Sequence, residues 1–248
     1  MYGNDFRIEY LKTIDSTNTE LKRRARLGAP SGTVLVADEQ MAGRGRMGRT
    51  FFSPAGSGLY MSVLLRPVAL ADAGRITTYA AVATARALEK QGVRVSIKWV
   101  NDLLAGGKKL CGILAEAGTV GEDAFAVIGI GINLADGAFP EEVADVATSV
   151  EAQTGRIPDR NEVVDDILHE LAALTRGGFS DPSVMEEYRA RCTLLGRAIR
   201  VLPLSGAPFD ATAIAVEDDG TLTVRPDTPD NAPLVNLSSA EVSVREVK

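Results

Sequence analysis

The segment with the clearest chemical character is a loop of glycines and arginines, Gly43-Arg44-Gly45-Arg46-Met47-Gly48-Arg49. Glycines let a backbone approach a ligand closely and present its N–H groups. The planar guanidinium groups of arginine suit carboxylates and phosphates. Residues 40–71 contain four arginines and no acidic residue, in a chain whose net charge is −6. The pattern predicts an anion-binding loop, although a flexible basic loop or an RNA-binding tract would share it.

The energetics of this loop predict how it behaves. Fixing the backbone of one residue costs about 1–2 kcal/mol, and a glycine-rich loop has few side chains to offset that cost. Charge-assisted hydrogen bonds to a bound anion contribute about 1.5–3 kcal/mol each. We therefore expect the loop to be mobile when the site is empty and ordered when an anion is bound.

Two neighbouring segments, Lys98-Trp99-Val100-Asn101-Asp102 and Lys108-Lys109-Leu110-Cys111-Gly112, place polar groups between apolar strands. An Asn-Asp pair in such a position is costly unless it binds something. Because successive strand residues face opposite sides, only one of the two lysines can point inward beside a ligand. A plain hairpin with a solvated lysine pair is the alternative.

Two further segments are open to two interpretations each. The glycines of Gly129-Ile130-Gly131-Ile132-Asn133 indicate a close approach of ligand or backbone to a strand, or a tightly packed core strand. The polar run Asp15-Ser16-Thr17-Asn18 could bind a ligand. A capping box that begins at Thr17 and ends at Glu20 would explain the same run without one.

The elements that must position these segments form an α+β pattern. Strands are predicted at 33–37, 58–65, 93–99, 111–117 and 124–134, with a hairpin over 103–111, and helices from 17, over 72–91, 141–153, 159–175 and 181–195. After Gly196 the chain predicts short strands at 198–202, 209–217, 221–225 and 241–247, a spacing typical of a small barrel. We therefore place a domain boundary there, between residues 1–195 and 196–248.

Composition excludes several functions. A net charge of −6 argues against a general nucleic-acid binder, and a single histidine argues against a histidine-rich metal site or a Ser-His-Asp triad. No signal sequence or membrane-length apolar run is present. The two cysteines are isolated and far apart in the sequence, which favours a reducing cytoplasm.

Taken together, the segments resemble biotin protein ligases, in order and over residues 10–135. The matching motifs are DSTN at 15–18, the Gln-Arg-Gly block at 40–49, FSP at 52–54, KWVND at 98–102, KKLCGIL at 108–114 and GIGIN at 129–133. The resemblance implies a mixed β-sheet flanked by helices, of the class II aminoacyl-tRNA synthetase and biotin ligase type. It also implies a small C-terminal β-barrel of the Src-homology-3 type.

The resemblance implies a reaction in two steps. Biotin and ATP give biotinyl-5′-AMP, with Mg²⁺ arriving with ATP near Asn101 and Asp102 rather than in a dedicated cage. The biotin then passes to a lysine of a biotin carboxyl carrier protein. A lipoate ligase with the same chemistry and a non-catalytic biotin or nucleotide module are the alternatives. The Gly-Arg loop and the KWVND segment favour biotin, and Lys109 argues against a module without catalysis.

The resemblance also implies roles for individual residues. Lys109 and Arg46 are the catalytic candidates, with Lys109 bridging the carboxylate and the α-phosphate. Biotin would contact Ser16, Thr17, Asn18, Gln40, Gly43, Arg44, Gly45, Arg46, Lys109 and Gly112. ATP would contact Arg46, Arg49, Phe51, Asn101, Asp102, Lys109 and Asn133.

Two departures from the family pattern stand out: Phe51 replaces a frequent tryptophan, and Val100 replaces the usual proline. We expect Phe51 to stack more weakly on an adenine. Some relatives carry an N-terminal helix-turn-helix domain, whereas the first motif here begins at Asp15. We therefore expect no specific DNA binding, no membrane association, and a monomer or homodimer.

Overall fold

The computed structural model describes residues 6–137, 139–227, 233–238 and 242–246. Its larger sheet has seven strands in the order β1-β2-β3-β7-β6-β5-β4. The strands are β1 (Arg7–Ile14), β2 (Thr33–Gln40), β3 (Gly58–Leu65), β4 (Ser96–Lys98), β5 (Asp102–Ala105), β6 (Lys108–Val120) and β7 (Asp123–Asn133). Strands β1 and β2 are parallel and the other neighbours antiparallel, so the sheet is mixed, as predicted.

Helices cover both faces of this sheet. They are α1 (Thr17–Arg26), α2 (Ala73–Lys90), α3 (Glu141–Ala144), α4 (Val150–Thr154), α5 (Arg160–Thr175) and α6 (Pro182–Arg191). Alternation along β2 shows why two cores form. Val34 and Val36 face the core that contains α2, whereas Leu35 packs with Leu21 and Ala25 of α1 on the other side. Burial of one such leucine contributes about 1.5–3 kcal/mol.

A second, five-stranded antiparallel sheet forms the C-terminal part in the order β11-β10-β9-β8-β12. Its strands are β8 (Ala198–Pro203), β9 (Phe209–Val216), β10 (Leu222–Pro226), β11 (Val235–Leu237) and β12 (Val242–Glu246). This is the small C-terminal β-structure that the sequence predicts. Residues 241 and 247, the ends of the predicted last strand, lie outside the described residues.

The turn between β9 and β10 docks against the larger part of the chain. The indole nitrogen of Trp99 donates to the carbonyl of Gly220 at 2.9 Å. Arg189 pairs with Asp218. At Gly74, a Cβ atom would lie 2.2 Å from the carbonyl oxygen of Asp219, so only glycine permits this approach. The two sheets are therefore joined next to the KWVND segment.

Several elements differ from the prediction. Helix α6 ends at Arg191 rather than at 195, and strand β4 covers only Ser96–Lys98 of the predicted 93–99. Helix α1 is capped by Ser16, one residue earlier than the predicted Thr17. The helix predicted over 141–153 is two short helices, because residues 146–148 between them bond to the backbone of Lys109. Strand β1 was not predicted, since it is an edge strand with mostly exposed side chains and a weak apolar pattern.

Within the described ranges, no helix is long and apolar enough to span a bilayer.

Candidate active site

A cavity of about 220 Å³ lies on the α1 side of the larger sheet, below the loop 43–49. Strands β6 and β7 form its floor, where Gly112 pairs with Gly131 and Leu114 pairs with Gly129. Across the neighbouring strands, Gly131 pairs with Tyr60 and Gly112 pairs with Asp102. One row of paired residues therefore crosses four strands, in the order Tyr60, Gly131, Gly112 and Asp102.

The floor glycines provide space that any side chain would fill. A Cβ at Gly129 would lie 2.3 Å from Oδ1 of Asn18, and one at Gly131 would lie 2.5 Å from the ring of Phe51. Real Cβ atoms do not approach other atoms so closely. The glycines of GIGIN therefore leave room for the side chains of Asn18 and Phe51 at the floor of the cavity.

One end of the cavity is built from the start of α1. Ser16 caps the helix by accepting from the amide of Thr19 at 3.4 Å, which leaves the Thr17 side chain for other contacts. The amide and hydroxyl of Thr17 both donate to Oε1 of Gln40, at 2.9 and 3.0 Å. We call the Thr17, Asn18, Gln40 and Ser62 group the polar end of the cavity.

The amide orientations at the polar end follow from their partners. Nε2 of Gln40 donates to Ser53 Oγ at 3.0 Å, while the Ser53 hydroxyl donates to the Phe51 carbonyl. Nδ2 of Asn18 donates to the carbonyl of Leu114 at 3.1 Å and to a carboxylate oxygen of Glu116 at 3.0 Å. Both amides therefore direct their oxygens towards the hydroxyls of Thr17 and Ser62.

These orientations leave the polar end with a surplus of acceptors. Gln40, Thr17, Ser62 and Asn18 form a chain of three oxygen–oxygen contacts, at 3.0, 2.8 and 2.6 Å. The amide oxygens at its two ends carry no hydrogen, and each hydroxyl carries one. Two hydrogens thus serve three contacts. The Thr17 amide also serves the Gln40 oxygen, so each amide oxygen can have a donor, and the group presents mainly oxygen acceptors to a ligand N–H group.

The Gly-Arg loop arches over the cavity as a small hairpin. The amide of Gly45 donates to the Arg49 carbonyl at 2.7 Å, and the amide of Phe51 donates to the Gly43 carbonyl at 2.9 Å. At Gly43 a Cβ would lie 2.3 Å from the Phe51 carbonyl oxygen, so this turn requires glycine. Met47 has a φ of 55° at the tip of the loop. The predicted ligand loop therefore covers one side of the cavity.

Arg46 extends from the loop to the KWVND segment. Its guanidinium group donates to Oδ1 of Asn101 at 3.0 Å. Burial lowers the pKa of Arg46, while the nearby charge of Asp102 opposes that effect. A guanidinium group half removed from water in this way binds an anionic ligand more strongly than an exposed one.

Lys109 lies at the same end of the cavity as Arg46. Its ammonium nitrogen is 2.6 Å from Oδ1 of Asp102 and 6.0 Å from the centre of the Phe51 ring. Its backbone is held on the outer side by bonds with Val146 and Thr148, at 2.8 and 2.9 Å. Lys108 is exposed, so the two lysines face opposite ways as predicted. We call Arg46, Asn101, Asp102 and Lys109 the cationic end of the cavity.

All predicted site residues except Gly43 and Asn133 line the cavity. Gly43 does not line the cavity; its carbonyl accepts a hydrogen bond from the amide of Phe51, which does. The side-chain amide of Asn133 donates to the carbonyl of Thr148 at 3.0 Å and, more weakly, to that of Lys109 at 3.5 Å. Asn133 therefore contacts the backbone that carries Lys109.

Sequence reasoning missed several residues of the wall, among them Lys98, Trp99, Met61, Leu114 and Val244. Lys98 and Trp99 belong to the KWVND segment, and the register that pairs Lys98 with Asp102 puts Lys98 at the cationic end. Val244 comes from β12 of the second sheet. No signal in the sequence connects that strand to the cavity.

Within the described parts of the chain, no three His, Cys, Asp or Glu side chains are grouped to hold a metal ion. At the cationic end, Asp102 supplies a carboxylate and Asn101 supplies an amide oxygen.

Comparisons with known proteins agree with this geometry. The profile of the biotin/lipoate A/B protein ligase family matches residues 10–133. The bifunctional ligase/repressor BirA of Bacillus spizizenii is 38% identical over 223 residues, which cover 86% of this chain and 67% of that protein. A biotin–[acetyl-CoA-carboxylase] ligase of Mycobacterium tuberculosis is 34% identical, covering 87% of this chain and 82% of that protein.

A solved structure shares the whole architecture. The biotin protein ligase of Aquifex aeolicus, solved in complex with biotin and ATP, superposes with a TM-score of 0.79 at 29% identity. The superposition covers 97% of this chain and 99% of that one, so it includes both sheets. From the profile match, the extent of the sequence identity and the shared fold, it follows that the chain belongs to the biotin/lipoate A/B protein ligase family.

Proposed function

We propose that the protein is an ATP-dependent biotin ligase, which makes biotinyl-5′-AMP and transfers the biotin to a lysine of a biotin carboxyl carrier protein. The observation that carries this proposal is the two-ended cavity. Its polar end offers acceptors to a ring that bears N–H groups, and its cationic end offers Arg46 and Lys109 to anions. Biotin has a ureido ring at one end and a carboxylate at the other.

The first step brings two anions together. The biotin carboxylate attacks the α-phosphorus of ATP, and the bond to pyrophosphate breaks. Lys109 acts as a point charge between the carboxylate and the α-phosphate, and Arg46 stabilises the charge that develops on the phosphate oxygens. Asn133 acts through the Lys109 backbone, which its side chain contacts.

Magnesium fits this site as a companion of ATP. Mg²⁺ often binds one or two carboxylates together with substrate phosphates. Asp102 supplies one carboxylate and Asn101 an amide oxygen at the cationic end, which suits an ion delivered with the nucleotide. When bound, it would neutralise charge on the phosphates.

The mixed anhydride must be kept from water until the acceptor arrives. The loop 43–49 serves this purpose, because it covers the cavity and is held by Arg46 to Asn101 and by Arg44 to Glu116. The acceptor lysine then attacks the acyl carbon, AMP leaves, and an amide bond forms. The amine loses its proton in this step.

The polar end favours biotin over lipoate. The ring of lipoate contains two sulfur atoms and no N–H group, so it cannot donate to the oxygen acceptors of the polar end, whereas the ureido ring of biotin can. One such hydrogen bond contributes about 0.5–1.5 kcal/mol net, which corresponds to roughly a 2- to 13-fold preference for biotin.

The finer features of the protein follow from the same proposal. The name of the M. tuberculosis relative supports a carboxylase carrier as the acceptor.

The net charge of −6 supports the absence of specific DNA binding. Both cysteines are free, which supports a cytoplasmic location. We divide the chain into a catalytic domain over 1–195 and a β-domain over 196–248, as a monomer or homodimer.

The decisive experiment offers labelled biotin or lipoate to the purified chain, with and without ATP, together with a biotin carrier domain. We expect pyrophosphate release and labelled carrier only with biotin and ATP together. Activity with lipoate alone would contradict the choice of substrate. Biotin binding without pyrophosphate release would indicate a non-catalytic module.

A further inference from the structure

Glu116 lies on β6 beside the polar end of the cavity. It follows Gly112 and Leu114 at intervals of two residues, so it shares their face of the sheet. Its side chain is 22% exposed, and it was not among the predicted site residues. One of its carboxylate oxygens accepts from Asn18 at 3.0 Å, and the other lies 2.6 Å from the ammonium nitrogen of Lys22.

The carboxylate of Glu116 is held by cations on two sides. Lys22 projects from α1, and Arg44 approaches from the loop to 3.7 Å. Burial by itself would raise the pKa of Glu116. The hydrogen bonds from Lys22 and Asn18 and the charges of Lys22 and Arg44 outweigh that effect and lower the pKa. Glu116 therefore faces Asn18 as an ion that can only accept.

Counted by themselves, the three oxygen–oxygen contacts of the polar end favour the opposite orientation of Asn18. If the amide were flipped, Nδ2 would donate to Ser62, Ser62 to Thr17, and Thr17 to Gln40. Every contact in the chain would then have its hydrogen. The flip would instead put the amide oxygen against the Leu114 carbonyl and the Glu116 carboxylate. Repulsion from the carboxylate is the larger penalty, because it carries a full charge.

We propose that Glu116 is a positioning residue that sets the polarity of the polar end. It keeps the Asn18 amide turned so that the oxygen, which lies over Gly129, faces the ligand and accepts from an N–H group. Glu116 thereby selects a ureido ring without touching it. This inference rests on the proposed biotin ligase function.

Three variants test the proposal. Glu116→Met removes the carboxylate at similar length, and Glu116→Gln keeps an oxygen that can accept from Asn18. Lys22→Met removes the same ion pair without touching Asn18. We expect Glu116→Met to raise the KM for biotin about tenfold or more while the KM for ATP stays within about twofold. Glu116→Gln, which keeps an accepting oxygen but no charge, should recover part of the loss, and Lys22→Met, which leaves the carboxylate and Arg44 in place, should be less impaired than Glu116→Met.

The measurement is biotin-dependent pyrophosphate release, with thermal unfolding to show that each variant is folded. The proposal is overturned if folded Glu116→Met keeps its KM for biotin. It is also overturned if the KM for ATP rises in equal proportion, if Glu116→Gln is as impaired as Glu116→Met, or if Lys22→Met is equally impaired. Failure of the proposed function looks different, because the wild type itself would then release no pyrophosphate with biotin.

Discussion

The side chain of Lys109 lies over Gly112, three residues further along β6. A Cβ atom at Gly112 would be 3.3 Å from both Cε and Nζ of Lys109. Residues three apart on a regular strand face opposite sides of the sheet. Here the β5–β6 register shifts, so that Leu103 pairs with Cys111 but Leu104 pairs with Lys109. The extra residue, Leu110, forms a bulge that turns Lys109 into the cavity.

Because the bulge gives Lys109 this position, its charge should serve the chemical step. We expect Lys109→Met to lower biotin-dependent pyrophosphate release by about 10²–10³-fold, the usual cost of losing one group that stabilises a transition state. Biotin binding by calorimetry should be largely kept. The control is Lys108→Met on the exposed face, which should retain full activity. Equal effects at the two positions would contradict the assignment.

Arg46 joins the loop to Asn101, and its loss should loosen the cover over the adenylate. We expect Arg46→Gly to release biotinyl-AMP into solution, where it labels bystander lysines. The measurement is biotin incorporated into a protein that is not an acceptor, such as serum albumin. Arg94→Ala, at an exposed position without an ion pair among the described residues, is the control. Absence of stray labelling with Arg46→Gly would show that other groups retain the intermediate.

The two floor glycines should affect different substrates. In Gly129→Ala the new methyl group would meet Asn18, so the KM for biotin should rise. In Gly131→Ala it would meet the ring of Phe51, so the KM for ATP should rise if Phe51 packs against the nucleotide. We expect changes of about tenfold, from steric penalties of about 1–3 kcal/mol.

Gly177→Ala is the matched control for both glycine variants, because nothing lies within 4 Å of its Cβ position. It should change neither KM. If Gly129→Ala and Gly131→Ala raised both KM values together, the cavity would not have two separable ends.

Loop order should depend on the ligand. The amides of Gly45 and Phe51 close the loop hairpin through backbone bonds, and few side-chain contacts support it. We expect hydrogen exchange at these amides to slow when biotin and ATP are both present, while amides of β3 do not change. Equal protection with and without ligand would show that the loop is rigid beforehand.

Acid should weaken the ion pairs at the start of α1. Hydrogen bonds from Arg23 and Arg24 lower the pKa of Glu20 from 4.5 to about 2. A lowered pKa means that the stabilisation is complete above about pH 4.5 and is lost as the pH falls towards 2. Since the pairs are near the surface, we expect Glu20→Gln to cost only about 0.5–1 kcal/mol at pH 7.

Thermal unfolding of Glu20→Gln and the wild type at pH 7 and pH 3 measures this effect. The difference in Tm should be smaller at pH 3. Glu122→Gln, in an exposed turn without an ion pair among the described residues, should show no difference at either pH. A Glu20 effect that grew in acid would contradict the sign of the pKa shift.

The sequence predicted most elements because their patterns are local. Strand β3 was predicted with the same ends as in the structure, Gly58 and Leu65, since every one of its residues is apolar, small or buried. The hairpin at Gly106-Gly107 was predicted from two glycines, and both have positive φ. Such features depend on a few neighbouring residues.

Contacts between residues that are far apart in the chain could not be predicted from the sequence. The bulge at Leu110 depends on pairing with β5, and alternation counted back from Gly112 would have put Lys109 on the wrong face. Glu116 was missed because its partners Asn18, Lys22 and Arg44 lie far away in the chain. The break between α3 and α4 depends on bonds from residues 146–148 to Lys109.

The position of Trp99 gives the protein an intrinsic fluorescent reporter. It is the chain's one tryptophan, it is 3% exposed, and it lines the cavity while its indole nitrogen bonds to Gly220 in the β9–β10 turn of the second sheet. All tryptophan emission therefore comes from the junction of substrate site and C-terminal sheet. We expect ligand entry to change the surroundings of Trp99, and detachment of the sheet to expose the indole N–H to water and shift the emission to longer wavelength. Unlabelled protein can thus report both events, each with its own spectral change.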